Sequence, residues 1–274
     1  MIKRILVGLS GTAFTPSAIQ HAVDLARLHD ASLTGVTLVD LGRLANVGPI
    51  PMGGGAAASE IIEHRLAVTE QRVRQTIEQF ERACREARIP HQVCQETGDP
   101  FTQLMARWRY HDLTIFGLRG LFEYGVVHNP DDQVIRLIAR GVRPIIAVGE
   151  EFRLIRRVMI AYNGSMESAN TMKRFAQLQL WSDMTIRIVY CNRERPCPSL
   201  LDDARAYCAD HGLNVETEYI QARPTESLLE HAADWQADMI ALGSTARARL
   251  FRHMMGDTAL HLIRNAHLPL FLGQ

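Results

Sequence analysis

Lysine is nearly missing from this chain: Lys3 and Lys173 are the only two in 274 residues, and arginine supplies the rest of the positive charge. The glycine-rich stretches therefore hold no lysine, which excludes a Walker-type phosphate loop, whose lysine reaches the outer phosphates. Net charge is missing as well: 30 basic and 30 acidic residues cancel, with 16 of each sign in 1–150 and 14 of each in 151–274. Without a global basic field, binding to a phosphate backbone loses its main driving force, so a nucleic-acid partner is not expected. The five cysteines (Cys84, Cys94, Cys191, Cys197, Cys208) form no CxxC pair and leave an odd count, which suits reduced cytosolic thiols better than a disulfide framework. No apolar run approaches the roughly 20 residues of a membrane helix. Ile5 to Leu9 is too short for a signal core and reads as a strand, so a soluble cytoplasmic chain is expected. Gly-x-Ser-x-Gly and HExxH are absent, and nothing assembles a nucleophile, a base and an orienter. No catalytic residue is expected.

What the chain does have is a repeat. Ile5-Leu6-Val7-Gly8-Leu9-Ser10-Gly11-Thr12 returns as Val158-Met159-Ile160-Ala161-Tyr162-Asn163-Gly164-Ser165. Asp112-Leu113-Thr114-Ile115-Phe116-Gly117 returns as Asp238-Met239-Ile240-Ala241-Leu242-Gly243, and Pro144 and Pro269 each open a closing apolar run. A weaker match pairs Gly98-Asp99-Pro100 with Ala222-Arg223-Pro224. Short, wholly apolar strands of this kind suit a parallel sheet covered on both faces. After the first strand, Thr15 reads as a cap, Pro16 suits a first turn, and Ala18, Ala22, Leu25 and Ala26 line one helical face. The copies differ in length: 153 residues separate Gly11 from Gly164, but only 126 separate Gly117 from Gly243. The first copy alone therefore carries a Gly/Pro/Ala stretch at 48–58, read as a lid or linker. A long helix follows from about Ser59 to Arg88, with Val73, Ile77, Phe80, Cys84 and Ala87 at helical spacing. Strands alternating with helices imply two α/β domains, 1–150 and 151–274, joined by a short charged linker.

In an open parallel sheet a ligand sits beyond the carboxyl ends of the strands. Two turns per copy should meet there: Ser10-Gly11-Thr12 or Asn163-Gly164-Ser165 after the first strand, and the stretch following Gly117 or Gly243 after the fourth. In the second copy a helix beginning near Gly256 would aim unpaired N–H groups at an anion, with Arg247, Arg249 and Arg252 nearby. Those arginines read equally as a solvated face. Asp131 and Asp257 fall near helix starts, where capping alone would account for them. His253, Asp257 and His261 are four apart, but a helix starting only near Gly256 breaks their common face, so no metal site is assigned.

These motifs resemble the universal stress protein family. Its first strand ends in Asp-Gly-Ser, and its nucleotide-binding members carry Gly-x2-Gly-x9-Gly-Ser/Thr after the fourth strand. Here the second copy reads Gly243-x2-Ala246-x9-Gly256-Asp257 and the first Gly117-x2-Gly120-x9-Pro130-Asp131, with Ser10 and Asn163 in place of the strand-one Asp. The resemblance covers the whole chain, twice. It implies two tandem Rossmann-like open parallel sheets of strand order 3-2-1-4-5, and a non-catalytic stress-response protein. The implied ligand is ATP or another adenine nucleotide, with or without magnesium, in the better-preserved second copy. Asn163 and Gly164 would lie at base and ribose, and Gly243, Ala246, Arg247, Gly256 and Thr258 would line the phosphates. Ser165, Val189, Ser244 and Asp257 would complete the nucleotide-binding set. Fifth strands pair in family dimers, so the copies are expected to form that dimer within one chain, with homodimerisation also open. A scaffold that has lost nucleotide binding, and more weakly a slow ATPase, are the rival readings.

Overall fold

Strands and helices alternate along the chain in the computed structural model, which describes residues 2–39, 44, 54–97, 100–119, 144–194, 198–243 and 256–273. In the first half the strands are β1 (Arg4–Gly8), β2 (Ser32–Val39), β3 (His91–Thr97), β4 (Leu113–Gly117) and β5 (Ile145–Val148). The helices between them are α1 (Thr15–His29), α2 (Gly55–Ala87) and α3 (Pro100–Trp108). The second half supplies β6 (Arg157–Ala161), β7 (Thr185–Cys191), β8 (Asn214–Ile220), β9 (Met239–Gly243) and β10 (Leu270–Gly273). Its helices are α4 (Met166–Leu178), α5 (Pro198–Asp210), α6 (Pro224–Asp234) and α7 (Asp257–Asn265). All ten strands form one sheet, ordered β3-β2-β1-β4-β5-β10-β9-β6-β7-β8. Each half thus follows the order 3-2-1-4-5 with parallel neighbours.

The halves meet where β5 and β10 pair antiparallel, with Ile146 opposite Phe271. Both strands are buried throughout, as expected for apolar runs covered on two faces. One core face gathers Ile5, Val7, Leu25 and Phe80 with Val158, Phe175 and Phe271, so it runs across both halves. The other face packs Leu6, Leu104 and Phe116 with Met159, Leu228 and Leu262. Further contacts bridge the halves. His29 Nε2 lies 2.9 Å from the Leu180 carbonyl, so that nitrogen carries the proton, and Arg119 donates to the Ala266 carbonyl at 2.8 Å.

Local structure corrects three expectations. Thr15 is not the cap of α1: the helix starts at Thr15 itself, after Phe14, and the Thr15 hydroxyl accepts from the Thr12 N–H at 3.1 Å. The long helix begins at Gly55, four residues before the expected start, and absorbs the last glycine of the lid-or-linker stretch; residues 48–53 of that stretch lie outside the described residues. Asp257 makes no capping hydrogen bond; Gly256 holds the cap position of α7 and Asp257 follows in its first turn. The buried faces of α1 and α2 match the sequence spacing, with Ala18, Ala22 and Leu25 in one and Val73, Phe80 and Cys84 in the other. The shortfall in the second half is also where it was expected, since α2 has 33 residues and α5 only 13.

His21 on α1 is 1% exposed, packs its ring on Phe152 of the inter-half segment at 4.6 Å, and has no hydrogen-bond partner for Nε2. Burial pushes its pKa from 6.5 down to about 4. The unfolded chain therefore binds the extra proton between those values. The contribution of His21 is complete above about pH 6.5 and is lost as pH falls toward 4. Denaturant titrations across that window should show wild type losing about 2–3 kcal/mol more than His21→Leu; equal losses would contradict this. Phe271 stacks edge-on with Phe175, ring centroids 5.1 Å apart, in the core that both halves share. Phe271→Ala should cost about 3–5 kcal/mol in equilibrium unfolding, and a loss under about 1 kcal/mol would remove the seam from the core.

Candidate functional site

The turn after β6 is held by a closed set of short polar bonds. Asn163 Oδ1 accepts from the Ser165 N–H at 3.0 Å. Ser165 caps α4, its hydroxyl accepting from the Ser168 N–H at 3.2 Å, while the Ser168 hydroxyl donates to the Ser165 carbonyl at 3.0 Å. Between them Gly164 adopts φ +75°, a left-handed conformation that costs glycine little, and any Cβ there would meet Leu200 at 2.8 Å. Glu167 in the first turn suits the positive end of the helix.

At the end of β9, Gly243 runs so close to this helix start that a Cβ would lie 2.8–2.9 Å from backbone atoms of Glu167 and Ser168. A cavity opens beside it at the carboxyl ends of β6, β7 and β9, closed on another side by the start of α7. Asn163, Ser165, Val189, Gly243, Gly256 and Thr258 line it together. Gly164 sits in the turn between two of these, and Asp257 flanks two others without lining the wall. Ser244, Ala246 and Arg247, with Arg249, Arg252 and His253, lie outside the described residues, as do Gly98, Asp99, Gly120, His128, Pro130, Asp131 and Cys197.

The wall also includes Tyr162, Cys191, Pro224 and Leu228, which the sequence reading had not assigned. Pro224 was visible as half of the weak Pro100 match. Tyr162 adjoins a motif, but the others reach the wall only through strand pairing and helix packing. Burial raises the Cys191 thiol pKa, even against the lowering effect of the nearby Ser227 hydroxyl, so it stays protonated at neutral pH. The Tyr162 hydroxyl is also pushed up, first by burial and then by Asp203 and Cys208. With Tyr162 and Val189 linked by a main-chain bond of 2.9 Å, the wall is partly apolar on one side and rich in N–H and hydroxyl groups on the other.

The first half repeats the frame with different contents. Gly11 takes φ +64°, and Ser10 bonds Thr12 at 3.1 Å and Thr15 at 3.2 Å. Phe14 stands 153 residues before Glu167, and a Cβ on Gly117 would strike the Phe14 Cβ at 2.5 Å. The Phe14 side chain therefore stands against Gly117 where main-chain atoms of Glu167 and Ser168 stand against Gly243. Among the described residues no group of three or more His, Cys, Asp or Glu could hold a metal ion, and no described helix is long and apolar enough to cross a membrane.

The model of the universal stress protein family matches residues 1–138 and 199–272, well over half the chain. The chain belongs to that family. A universal stress protein of Synechocystis sp. (strain ATCC 27184 / PCC 6803 / Kazusa) is 22% identical, with 98% of each chain covered. A crystal structure of a universal stress protein from Archaeoglobus fulgidus DSM 4304 has a TM-score of 0.73 at 14% identity, covering all of this chain and 96% of its own. A functionally unknown protein from Pseudomonas aeruginosa PAO1 gives 0.57 at 14% identity, covering 99% of this chain and 92% of its own. At such identities the structural likenesses speak for the fold alone, here a strand order of 3-2-1-4-5 carried twice within one ten-stranded sheet.

Because the Gly243 wall abuts backbone rather than a movable side-chain tip, Gly243→Ala should destabilise the chain by about 1–3 kcal/mol in denaturant unfolding. Ser165→Ala should cost about 1 kcal/mol by losing the cap of α4. Unchanged stability in both variants would mean that the two elements are not in close contact.

Proposed function

We propose that this chain is a non-catalytic stress-response protein that binds an adenine nucleotide in its second half. The observation that carries the reading is the convergence of two helix starts, α4 and α7, on one cavity at glycine-walled strand ends. The first-turn N–H groups of α7, which has no side-chain cap, together with its dipole, favour an anion there. Asn163, Gly164, Ser165 and Val189 are assigned to the base and ribose side. Gly243, Gly256 and Thr258 are assigned to the phosphates; Ser244, Ala246 and Arg247, outside the described residues, are assigned to the same ligand by the family resemblance alone. Magnesium would accompany ATP as the phosphates' counter-ion, not as an ion held by a protein cluster. In the first half Phe14 crowds Gly117, which favours the second half as the binding half.

The reading extends to organisation. Residues 1–150 and 151–274 act as two domains of a cytoplasmic protein, and the β5–β10 seam serves as an internal counterpart of a family dimer. Assembly of two chains would then use another surface. One observation favours the rival scaffold reading: Asp257 puts a carboxylate in the first turn of α7, where a phosphate would otherwise receive the dipole.

Denaturing the purified protein and analysing the released small molecules separates the two. Adenine nucleotide at near one equivalent per chain, with a thermal shift on adding AMP or ATP with magnesium, is the expected result. Gly256→Trp should abolish both. Neither release nor thermal shift in wild type would leave the scaffold reading. Product formation above a blank, lost in Gly256→Trp, would instead make the protein a slow ATPase.

A further inference from the structure

A second cavity, of about 330 Å³, lies on the first half at the other ends of its strands, lined by Arg4, Thr34, Gln92, Glu96, Arg107 and His111 among others. Its volume falls at the lower end of small-molecule sites, about 300–1,000 Å³. The repeat supplies an internal comparison. Thr34 on β2 faces Gln92 on β3, and Arg187 faces Glu216 at the same register on β7 and β8. In the second half this place is filled: Arg187 binds Glu216 at 2.9 Å and Glu218 at 3.0 Å, and its guanidinium lies 4.6 Å from the Trp235 ring centre. In the first half the short Thr34 stands at the register of Arg187, and a cavity opens there beside His111.

The polar groups there are aligned rather than loose. His111 Nδ1 lies 2.7 Å from the Arg107 carbonyl, which can only accept, so Nδ1 carries the proton. That leaves Nε2 to accept from the Thr34 hydroxyl at 3.0 Å, while the Gln92 amide donates to the same hydroxyl oxygen at 3.1 Å. Burial is the main cause lowering the His111 pKa, which keeps the ring neutral in this arrangement. The one acid in the wall, Glu96, is taken by Arg107, whose Nε lies 3.1 Å from it. Arg4 makes no side-chain ion pair among the described residues, and the adjacent Asp112 spends its Oδ2 on the backbone N–H groups of Lys3 and Arg4 at 2.8 and 3.0 Å. The donors left in the wall are the Arg4 guanidinium and the Gln103 amide, with Tyr110, 69% exposed, at the rim, and Asp112 stands behind Arg4 as the nearest carboxylate.

We propose that this first-half cavity binds a small-molecule oxyanion, a carboxylate or a phosphate, with Arg4 as its charge partner. The site is independent of the nucleotide reading, since it shares no residue with the second-half cavity.

The test follows the His111 ring resonances of the full chain by NMR, assigned with His111→Gln, while succinate or inorganic phosphate is added at constant ionic strength and neutral pH. A saturating shift with at least one anion is expected, and the one that saturates identifies the oxyanion class. Arg4→Gln should weaken that binding about tenfold or more, the worth of a charge-assisted hydrogen bond. Thr34→Arg with Gln92→Glu, which copies Arg187 and Glu216, should fill the cavity and abolish the response. Should that double variant fail to fold, Arg4→Gln decides, because Arg4 is exposed and outside the core. Non-saturating drift with both anions, or equal binding in wild type and Arg4→Gln, would falsify the proposal.

Discussion

The antiparallel pairing of β5 with β10 organises everything else in this chain. Each is a four-residue, fully buried strand that would otherwise leave a row of main-chain N–H and C=O groups unpaired at the edge of a five-stranded sheet. Pairing them satisfies those groups and makes one ten-stranded sheet with a core on each face continuous across the junction. It also reverses direction. Strands within a half run parallel, so the carboxyl ends of the two halves open at opposite ends of the sheet. The second-half cavity and the corresponding turn of the first half therefore face away from each other, and each is free to diverge.

Divergence is what the side chains show. The left-handed glycine of the first turn, at Gly11 and Gly164, is kept in both halves because the chain must reverse sharply from strand to helix. What surrounds it is not kept. Ser165 caps α4 directly, whereas α1 begins later relative to its glycine and follows Phe14, which packs against Gly117. At the other ends of the strands the trade is reversed: Arg187, Glu216, Glu218 and Trp235 close the second half, while Thr34, Gln92 and His111 leave the first half open. A single backbone frame thus carries two unequal surfaces, set by a few side chains at matched registers.

Much of the fold was legible in the residues. Apolar runs as short as Leu113–Gly117 and Met239–Gly243 suit strands buried on both faces, and the helical spacing of Val73, Phe80 and Cys84 marks the inward side of α2. Helix starts were less legible. Thr15 has the right side chain for a cap, but Thr12 and Phe14 form a turn first, and the hydroxyl of Thr15 is spent on that turn. Asp257 likewise has the chemistry of a cap, yet Gly256 takes the extended conformation the cap position requires. In both cases the local backbone, not residue type, decides which position begins the helix.

By itself the sequence determined the repeat, the alternation of strand and helix, the greater length between the second and third strands of the first copy, and six of the residues that line the second-half cavity. These are local facts, carried by periodicity and by turns whose geometry only certain residues tolerate. Tertiary structure decided the rest: that β5 and β10 share hydrogen bonds, that Tyr162, Cys191 and Leu228 reach the cavity wall, and that Thr34 and His111 border an opening while Arg187 lies over the Trp235 ring. Contacts of that kind join residues from different elements across a packed sheet, and no spacing along one element encodes which neighbour the other face will bring.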